Sequence, residues 1–529
     1  MITLKIDGTA VTVAEGTNLV EAAAKAGIEI PTYCYHPGLT VVGQCRICFV
    51  EVEGMPRLVT ACSTPSQDGM EVLTASERVR EARAAVMEFL LENHPLDCPV
   101  CDQAGECGLQ DYSVEHGLDS THMVDQRRTY PGFERRMIGP HVVQNQNRCI
   151  HCTRCIRFTT EISETGDLTM KSRGNHSYID TFDSSPLDNP WSACVADVCP
   201  VGALTVKEFR FRARVWHLEE TPGVCPGCSI GCNVHVGHLD GVVHRFVPRF
   251  NRDVNGWWMC DFGRFLADGL NERQIERPVH RRGDAGESLS WSAAVAVLAD
   301  QLRNARRPVV VASANLSNEA LFSLRRNLVE SARMEVFVPV DTGPPRRMKD
   351  GRGQWKERLD AHPNSTGARN IGLSTADGAS LEAYLRDGEG PFFILDAHAH
   401  PWLTTEAAAA AVEGKFVAVL ARTRTPLVDT ATLVLPAASW AETEGTYTTS
   451  EGHVQLARRA LTPKAQARTA WEAVFALALE LDLEQDRCVS PRVLFAEMAA
   501  EVAAYSGMTW GRLESGGPLS THGEVDGVD

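Results

Sequence analysis

Apolar and polar side chains alternate across residues 2–6 and 10–13 with Asp7-Gly8 between them, which predicts an antiparallel hairpin. Asn18 to Ala26 reads as a short helix stopped by Gly27. From Ser76, the residues Val79, Ala82, Val86, Phe89 and Leu90 recur at helical spacing as far as Pro95, predicting a helix with an apolar face. Residues 108–148 have no clear periodicity and read as a connecting segment. From about residue 284 the pattern changes to helix 290–304, strand Pro308–Ala312, helix 317–332, strand Glu335–Val340 and later strands near 392–396 and 416–420. Strands alternating with helices predict a parallel sheet covered on both faces. The Gly-, Ser- and Asp-rich end, roughly 512–529, is expected to be disordered.

Length and charge narrow the possibilities. The 529 residues suffice for several domains, so small metal modules and larger ordinary domains can coexist. With 52 basic against 68 acidic residues the net charge is -16, which argues against nucleic acid or an anionic membrane surface as the main partner. The first residues, Met1-Ile-Thr-Leu-Lys-Ile-Asp-Gly, lack the basic-then-apolar pattern of a signal peptide, and no apolar run approaches a membrane span. Abundant thiols without a secretion signal fit a reducing compartment, where they stay available to metals. A cytoplasmic location is expected, with any membrane contact made through partners.

Fifteen of the 17 cysteines and one histidine fall into four sets of four. The first, Cys34-x10-Cys45-x2-Cys48-x13-Cys62, has the long-short-long form of a plant-type ferredoxin loop around a 2Fe-2S centre, with its first gap widened. The second is His94-x3-Cys98-x2-Cys101-x5-Cys107. In the third, Cys149-x2-Cys152-x2-Cys155 is joined by the remote Cys199-Pro200 pair, as in bacterial ferredoxins. The fourth is Cys225-x2-Cys228-x3-Cys232-x27-Cys260. A tight x2 loop presents two or three ligands from one stretch, and a remote residue closes the cage from another direction. Replacing one thiolate by neutral His94 leaves the second centre one unit less negative and raises its potential, as in Rieske centres.

Zinc is the competing reading, because it accepts four cysteines or three and a histidine, and an isolated Cys-x2-Cys pair is a common zinc knuckle. The x10-x2-x13 loop and the Cys-x2-Cys-x2-Cys run favour iron-sulfur for sets one and three. Taken alone, His94 reads as a helix-end histidine satisfied by hydrogen bonds; its place just ahead of a cysteine triplet favours the ligand reading. Cys194 competes with Cys199 as the remote ligand, and the following proline favours Cys199. Cys194 and Cys488 read as structural thiols. No G-x-G-x-x-G opens a strand-turn-helix unit, since Gly351-Arg352-Gly353 lacks the third glycine, and there is no P-loop. Neither NADH nor flavin is therefore expected to be handled by this chain.

The order of the four motifs, with CIHCTRCIRF at 149–158 and CPVGAL at 199–204, resembles the large iron-sulfur subunit of bacterial NADH-quinone oxidoreductase, respiratory complex I. The stretches CPGCSIGC at 225–232 and MCDFGR at 259–264 resemble the iron-sulfur domain that opens molybdopterin oxidoreductases, and DTATLVLPAASWAETEGTYTTSEGHVQ at 429–455 is similar to the molybdopterin-domain region that follows. The resemblance is strongest over 30–265.

It implies an α+β and α/β multidomain fold. A 2Fe-2S ferredoxin-like domain (1–76) would be followed by a histidine-ligated 4Fe-4S module with its connecting segment (77–148) and a ferredoxin-like 4Fe-4S module (149–215). Then would come a molybdopterin-oxidoreductase-type 4Fe-4S domain (216–283), a truncated molybdopterin-oxidoreductase-like α/β domain (284–485), and a C-terminal helix and tail (486–529). Cys34, Cys45, Cys48 and Cys62 would hold the 2Fe-2S centre. The sets beginning at His94, Cys149 and Cys225 would hold three 4Fe-4S centres, the last of them accessory. The chain would relay single electrons from a flavin/NADH-binding subunit toward quinone-side subunits of a proton-translocating enzyme. It would hold no complete site for NADH or quinone, and would lie peripherally on the cytoplasmic face of the membrane. About 270 residues follow Cys260, and no cysteine lies between Cys260 and Cys488, so no molybdopterin is expected, although a serine metal ligand stays open. The alternatives are a subunit of an NAD-linked formate dehydrogenase or soluble hydrogenase, and a zinc-stabilised scaffold.

Overall fold

The computed structural model describes residues 1–282, 285–396, 398–483, 490–516 and 519–521, in two compact units, Met1–Leu218 and Glu219–Asp529. Cys488 lies outside the described residues.

The first unit opens with the expected hairpin, β1 (Ile2–Ile6) against β2 (Thr9–Val13). Its turn places Asp7 at φ 46° and Gly8 at φ 80°, the left-handed region that Asp and Gly tolerate. Leu4, Ile6, Val11 and Val13 point inward, and each is worth about 1.5–3 kcal/mol of burial. The Asn18 side chain caps α1 (Leu19–Lys25) by accepting from the Glu21 amide. Strands β3 (Phe49–Val52), β4 (Val59–Thr60) and β5 (Glu71–Leu73) complete a five-stranded sheet in the order β2-β1-β5-β3-β4, with β1 and β5 parallel.

Ser76 caps α2 (Glu77–Glu92), its side chain accepting from the Val79 amide. The buried stripe is Val79, Arg83 and Met87, whereas Phe89 is 72% exposed. The segment 108–148 is more structured than its pattern suggested. It holds α3 (Gly108–His116) and the strands Arg136–Met137 and Val142–Gln144, the latter paired with Leu204–Val206. Only Leu109 of α3 is buried, so the helix leaves no apolar period to read.

In the second unit, a three-stranded antiparallel sheet (Glu219–Val224, Asn233–Leu239, Val242–Pro248) precedes the helix Asp261–Leu270. The large sheet behind it runs Ala285–Ser288, Val279–Arg282, Leu433–Pro436, Val417–Ala421, Phe392–Leu395, Val309–Ala312, Glu335–Pro339, Thr375–Ala376. The last six strands in that order are mutually parallel, and chain order reverses between Val309–Ala312 and Phe392–Leu395. Alternate residues face opposite cores. Val310, Phe393 and Leu420 pack on one side, and Val311, Phe392 and Val419 on the other. Helices Trp291–Arg303 and Asn318–Leu324 start at serine caps, and the second continues as π-helical turns over Arg325–Ser331. Part of the end expected to be disordered is ordered: Trp510–Glu514 is helical, and Leu519–Ser520 pairs with His453–Val454. The rest of that end, 517–518 and 522–529, lies outside the described residues. Among the described residues, no helix is long and apolar enough to cross a membrane.

Candidate metal centres

The first cysteine set sits on the loop between α1 and β3 and on the short 3-10 turn Ala61–Ser63. Cys48 Sγ and Cys62 Sγ are 3.4 Å apart. The Cys34 amide donates to Cys45 Sγ at 3.4 Å, and the Cys45 amide to Cys34 Sγ at 3.5 Å. Arg46, at φ 65°, turns the chain between Cys45 and Cys48. Hydrogen bonding with Cys34 raises the Cys45 and Cys62 thiols far above their usual pKa, while the same contacts lower Cys34. The four sulfurs thus share one small volume that four thiolates occupy together only with compensating positive charge.

In the third set, α4 (Arg154–Arg157) starts one residue before Cys155, and Cys199 follows the helical turn Cys194–Asp197. Cys149, Cys152, Cys155 and Cys199 line one cavity together. Cys194 is fully buried and is not part of that lining. The His151 amide donates to Cys149 Sγ at 3.4 Å. Burial pushes all four thiols up, Cys199 to about 12.

The second set is only partly assembled. Cys98, Cys101 and Cys107 are near enough that the charges of the first two raise the Cys107 thiol, after burial itself. Arg214 donates to the carbonyls of Cys101 and Pro99, each at 2.6 Å, and buried Arg148 holds Asp97 at 2.9 Å. His94 lines a neighbouring cavity with Asn93, Arg128, Tyr130, Asn147 and Cys149, rather than a chamber shared with the three thiols. Its Nδ1 is buried without a hydrogen-bond partner, and burial lowers its pKa to about 4, so the ring is a neutral imidazole with a nitrogen to spare.

The fourth set, in the second unit, lines one cavity. Cys225 follows the strand Glu219–Val224, and its amide donates to the Cys232 carbonyl at 2.7 Å. Cys260 caps the helix Asp261–Leu270, with Sγ accepting from the Gly263 amide at 3.4 Å. A Cβ on Gly263 would stand 2.7 Å from Cys225 Sγ, so the helix approaches the sulfurs only because that residue is glycine. Burial raises these thiols as well, Cys228 to about 11.

Two connections within the first unit were invisible in the spacing. Arg157 Nη2 donates to the carbonyls of Cys34 at 2.5 Å and Cys152 at 3.3 Å, tying the first set to the third. Gly202, in the CPVGAL stretch beside the third set, lies against Cys101 of the second. The fifteen motif cysteines carry free thiols. Among the described residues, no three His, Cys, Asp or Glu side chains converge to hold a single metal ion. Sets three and four instead ring voids, the arrangement that suits a multi-atom inorganic core.

The crevice where sheet order reverses is where open α/β folds bind ligands. Here the Asp341 amide donates to His362 Nε2 at 3.1 Å, His362 Nδ1 meets Asn315 Oδ1 at 3.1 Å, and Asn315 reaches Asp396 at 3.5 Å. Burial holds the Arg422 guanidinium below its usual pKa, and the charge of Asp396 also acts on it. The side chains of Asn315, His362 and Asp396 in this crevice are committed to one another.

The chain matches five family profiles. These are "2Fe-2S iron-sulfur cluster binding domain" over 1–77, "NADH-ubiquinone oxidoreductase-G iron-sulfur binding region" over 83–122, and "NADH-quinone oxidoreductase subunit 3, ferredoxin-like domain" over 139–205. The remaining two are "NADH-ubiquinone oxidoreductase NDSU1/NuoG-like, 4Fe-4S domain" over 227–268 and "Molybdopterin oxidoreductase" over 349–480. The mitochondrial NADH-ubiquinone oxidoreductase 78 kDa subunit of Candida albicans is 43% identical over 300 residues, 56% of this chain and 41% of that one. The NADH-ubiquinone oxidoreductase 75 kDa subunit of Reclinomonas americana is 36% identical over 385 residues, 72% and 54% of the two chains. An NADH-quinone oxidoreductase subunit of Rickettsia conorii is 38% identical over 327 residues, 61% and 48%. The matched region thus spans about half the length of these curated relatives. By these matches the chain is a relative of the large iron-sulfur subunits of NADH-quinone oxidoreductase, with 2Fe-2S, 4Fe-4S and molybdopterin-oxidoreductase domains in succession.

Proposed function

We propose that this chain is the electron-relay subunit of an NADH:quinone oxidoreductase, receiving single electrons from a flavin/NADH-binding subunit and passing them toward quinone-side iron-sulfur subunits. The observation that carries the reading is the linkage within Met1–Leu218: Arg157 joins the first cysteine set to the third, and Gly202 joins the third to the second. Cys34, Cys45, Cys48 and Cys62 would hold a 2Fe-2S cluster. Three 4Fe-4S clusters would be held by His94 with Cys98, Cys101 and Cys107, by Cys149, Cys152, Cys155 and Cys199, and by Cys225, Cys228, Cys232 and Cys260. When bound, such clusters supply one-electron carriers whose potentials follow charge, hydrogen bonding and burial.

The chain's own residues set those variables. Amides of Cys34, Cys45, His151 and Gly263 point at cysteine sulfurs and disperse their negative charge. Most of the cysteines of sets three and four are buried, and neutral His94 keeps the second centre less negative. The lack of cysteine between Cys260 and Cys488 supports a molybdopterin-type domain acting as scaffold, without molybdenum. The subunit would attach peripherally on the cytoplasmic side of the membrane through its partners, and we retain the six-part division at 76, 148, 215, 283 and 485. The formate dehydrogenase or hydrogenase alternative is less supported than this reading.

Purification of the native assembly with identification of its subunits tests the proposal. A flavin-binding subunit together with membrane subunits is expected; molybdenum and formate oxidation would replace this reading.

A further inference from the structure

The fourth set is faced by a cation that its own motif does not contain. Arg346 immediately precedes the hairpin formed by Arg347–Lys349 and Trp355–Glu357, and it lines the same cavity as Cys225, Cys228, Cys232 and Cys260. Its guanidinium carbon stands 3.2 Å from the centroid of the Phe262 ring, two residues beyond Cys260. Its Nη1 is buried and has no hydrogen-bond partner. The Arg346 carbonyl accepts from the Arg358 amide at 3.1 Å, and Arg358 Nη2 donates to the Thr342 carbonyl at 2.6 Å, which fixes the turn that presents the side chain. After burial, the charges acting on Arg346 are led by the Arg358 guanidinium, with Cys260, Cys228 and Cys225 opposing it. A guanidinium with a buried, idle N–H is costly unless negative charge resides nearby.

We propose that Arg346 is a positioning residue that sets the reduction potential of the fourth iron-sulfur centre, its guanidinium favouring the reduced state. The proposal rests on Cys225, Cys228, Cys232 and Cys260 holding a 4Fe-4S cluster. Reduction by one electron from an external reductant adds one negative charge inside the cavity. A fixed cation at the wall stabilises that added charge relative to the oxidised state. Stacking on Phe262 holds the planar guanidinium in place.

The test uses the full chain as wild type, Arg346→Lys and Arg346→Gln. Each is assayed for iron and titrated with dithionite while the fourth centre is followed by electron spin resonance. Arg346→Gln is expected to keep its iron and to shift the one-electron equilibrium about tenfold toward oxidation, about 59 mV more negative. Arg346→Lys, which retains the charge, is expected to stay close to wild type. Should Arg346→Gln lose the cluster, Arg346→His decides: its midpoint is expected to fall more steeply than that of wild type as the imidazole deprotonates with rising pH. A fourth signal present in all variants with an unmoved midpoint overturns the Arg346 proposal alone. Wild type lacking a fourth signal removes the ligand assignment, and the proposal with it.

Discussion

A Cβ on Gly202 would stand 2.2 Å from Cys101 Sγ, so the loop that follows Cys199 touches the second cysteine set only because it carries glycine there. The backbone itself forms the wall between the second and third sets. Gly202→Ala is therefore expected to displace Cys101 and cost the chain about four iron atoms, one 4Fe-4S cluster. Gly269, in the helix Asp261–Leu270, has open space around its Cβ position. Gly269→Ala is the control and should retain all its iron, with stability raised by about 0.5–1 kcal/mol. Equal iron in the two variants would refute the close contact.

Arg157 supplies the other connection, donating to the Cys34 and Cys152 carbonyls and to that of Thr40. Arg157→Met leaves these acceptors without their donor, at about 1–3 kcal/mol for each that stays dry. The expected result is a lower thermal midpoint together with faster release of iron to a chelator from both the 2Fe-2S and the third site. Loss confined to one site would show that Arg157 does not couple them.

His94→Cys tests the histidine. A fourth thiolate adds one negative charge to the second centre, so its midpoint potential should fall while its iron is retained. An unchanged midpoint with full iron content would mean that His94 is a buried helix-end residue and nothing more.

Glu319 offers a pH test away from the metal sites. It is fully buried, accepts from the Thr446 amide at 2.9 Å and from its hydroxyl at 2.6 Å, and burial raises its pKa to about 7. The folded value lies above the unfolded one, near 4.5. The group's contribution to stability is therefore present below pH 4.5 and is lost as pH rises through about 7, on the order of 3 kcal/mol in all. Glu319→Gln has no such loss, so its thermal midpoint should gain on wild type between pH 5 and pH 8. A constant difference across that range would contradict the buried titration.

Much of this architecture could be read from residue order. Asp7-Gly8 specified the hairpin because few other pairs accept two left-handed residues in succession. The helices read from Ser76 and over 290–304 start at Ser76 and Ser290, whose hydroxyls each accept an orphan amide. The parallel sheet followed from apolar strands alternating with helices. The contacts that organise the centres were hidden for physical reasons. Gly202 acts by what it lacks, and Arg157 and Arg346 reach cysteine sets distant in sequence, so neither kind of residue leaves a periodic trace. Phe89 fits the helical period of α2 yet is exposed, while Arg83 lies in the buried stripe. The preference for Cys199 over Cys194 came from a following proline, and only Cys199 reaches the cavity lining.

The most direct measurement is iron and acid-labile sulfide on the anaerobically purified full chain, with electron spin resonance of the reduced protein. Four clusters on the four ligand sets predict about 14 iron atoms and as many sulfides per chain, in one 2Fe-2S and three 4Fe-4S signals. A colourless protein with about four zinc ions and no iron would contradict it.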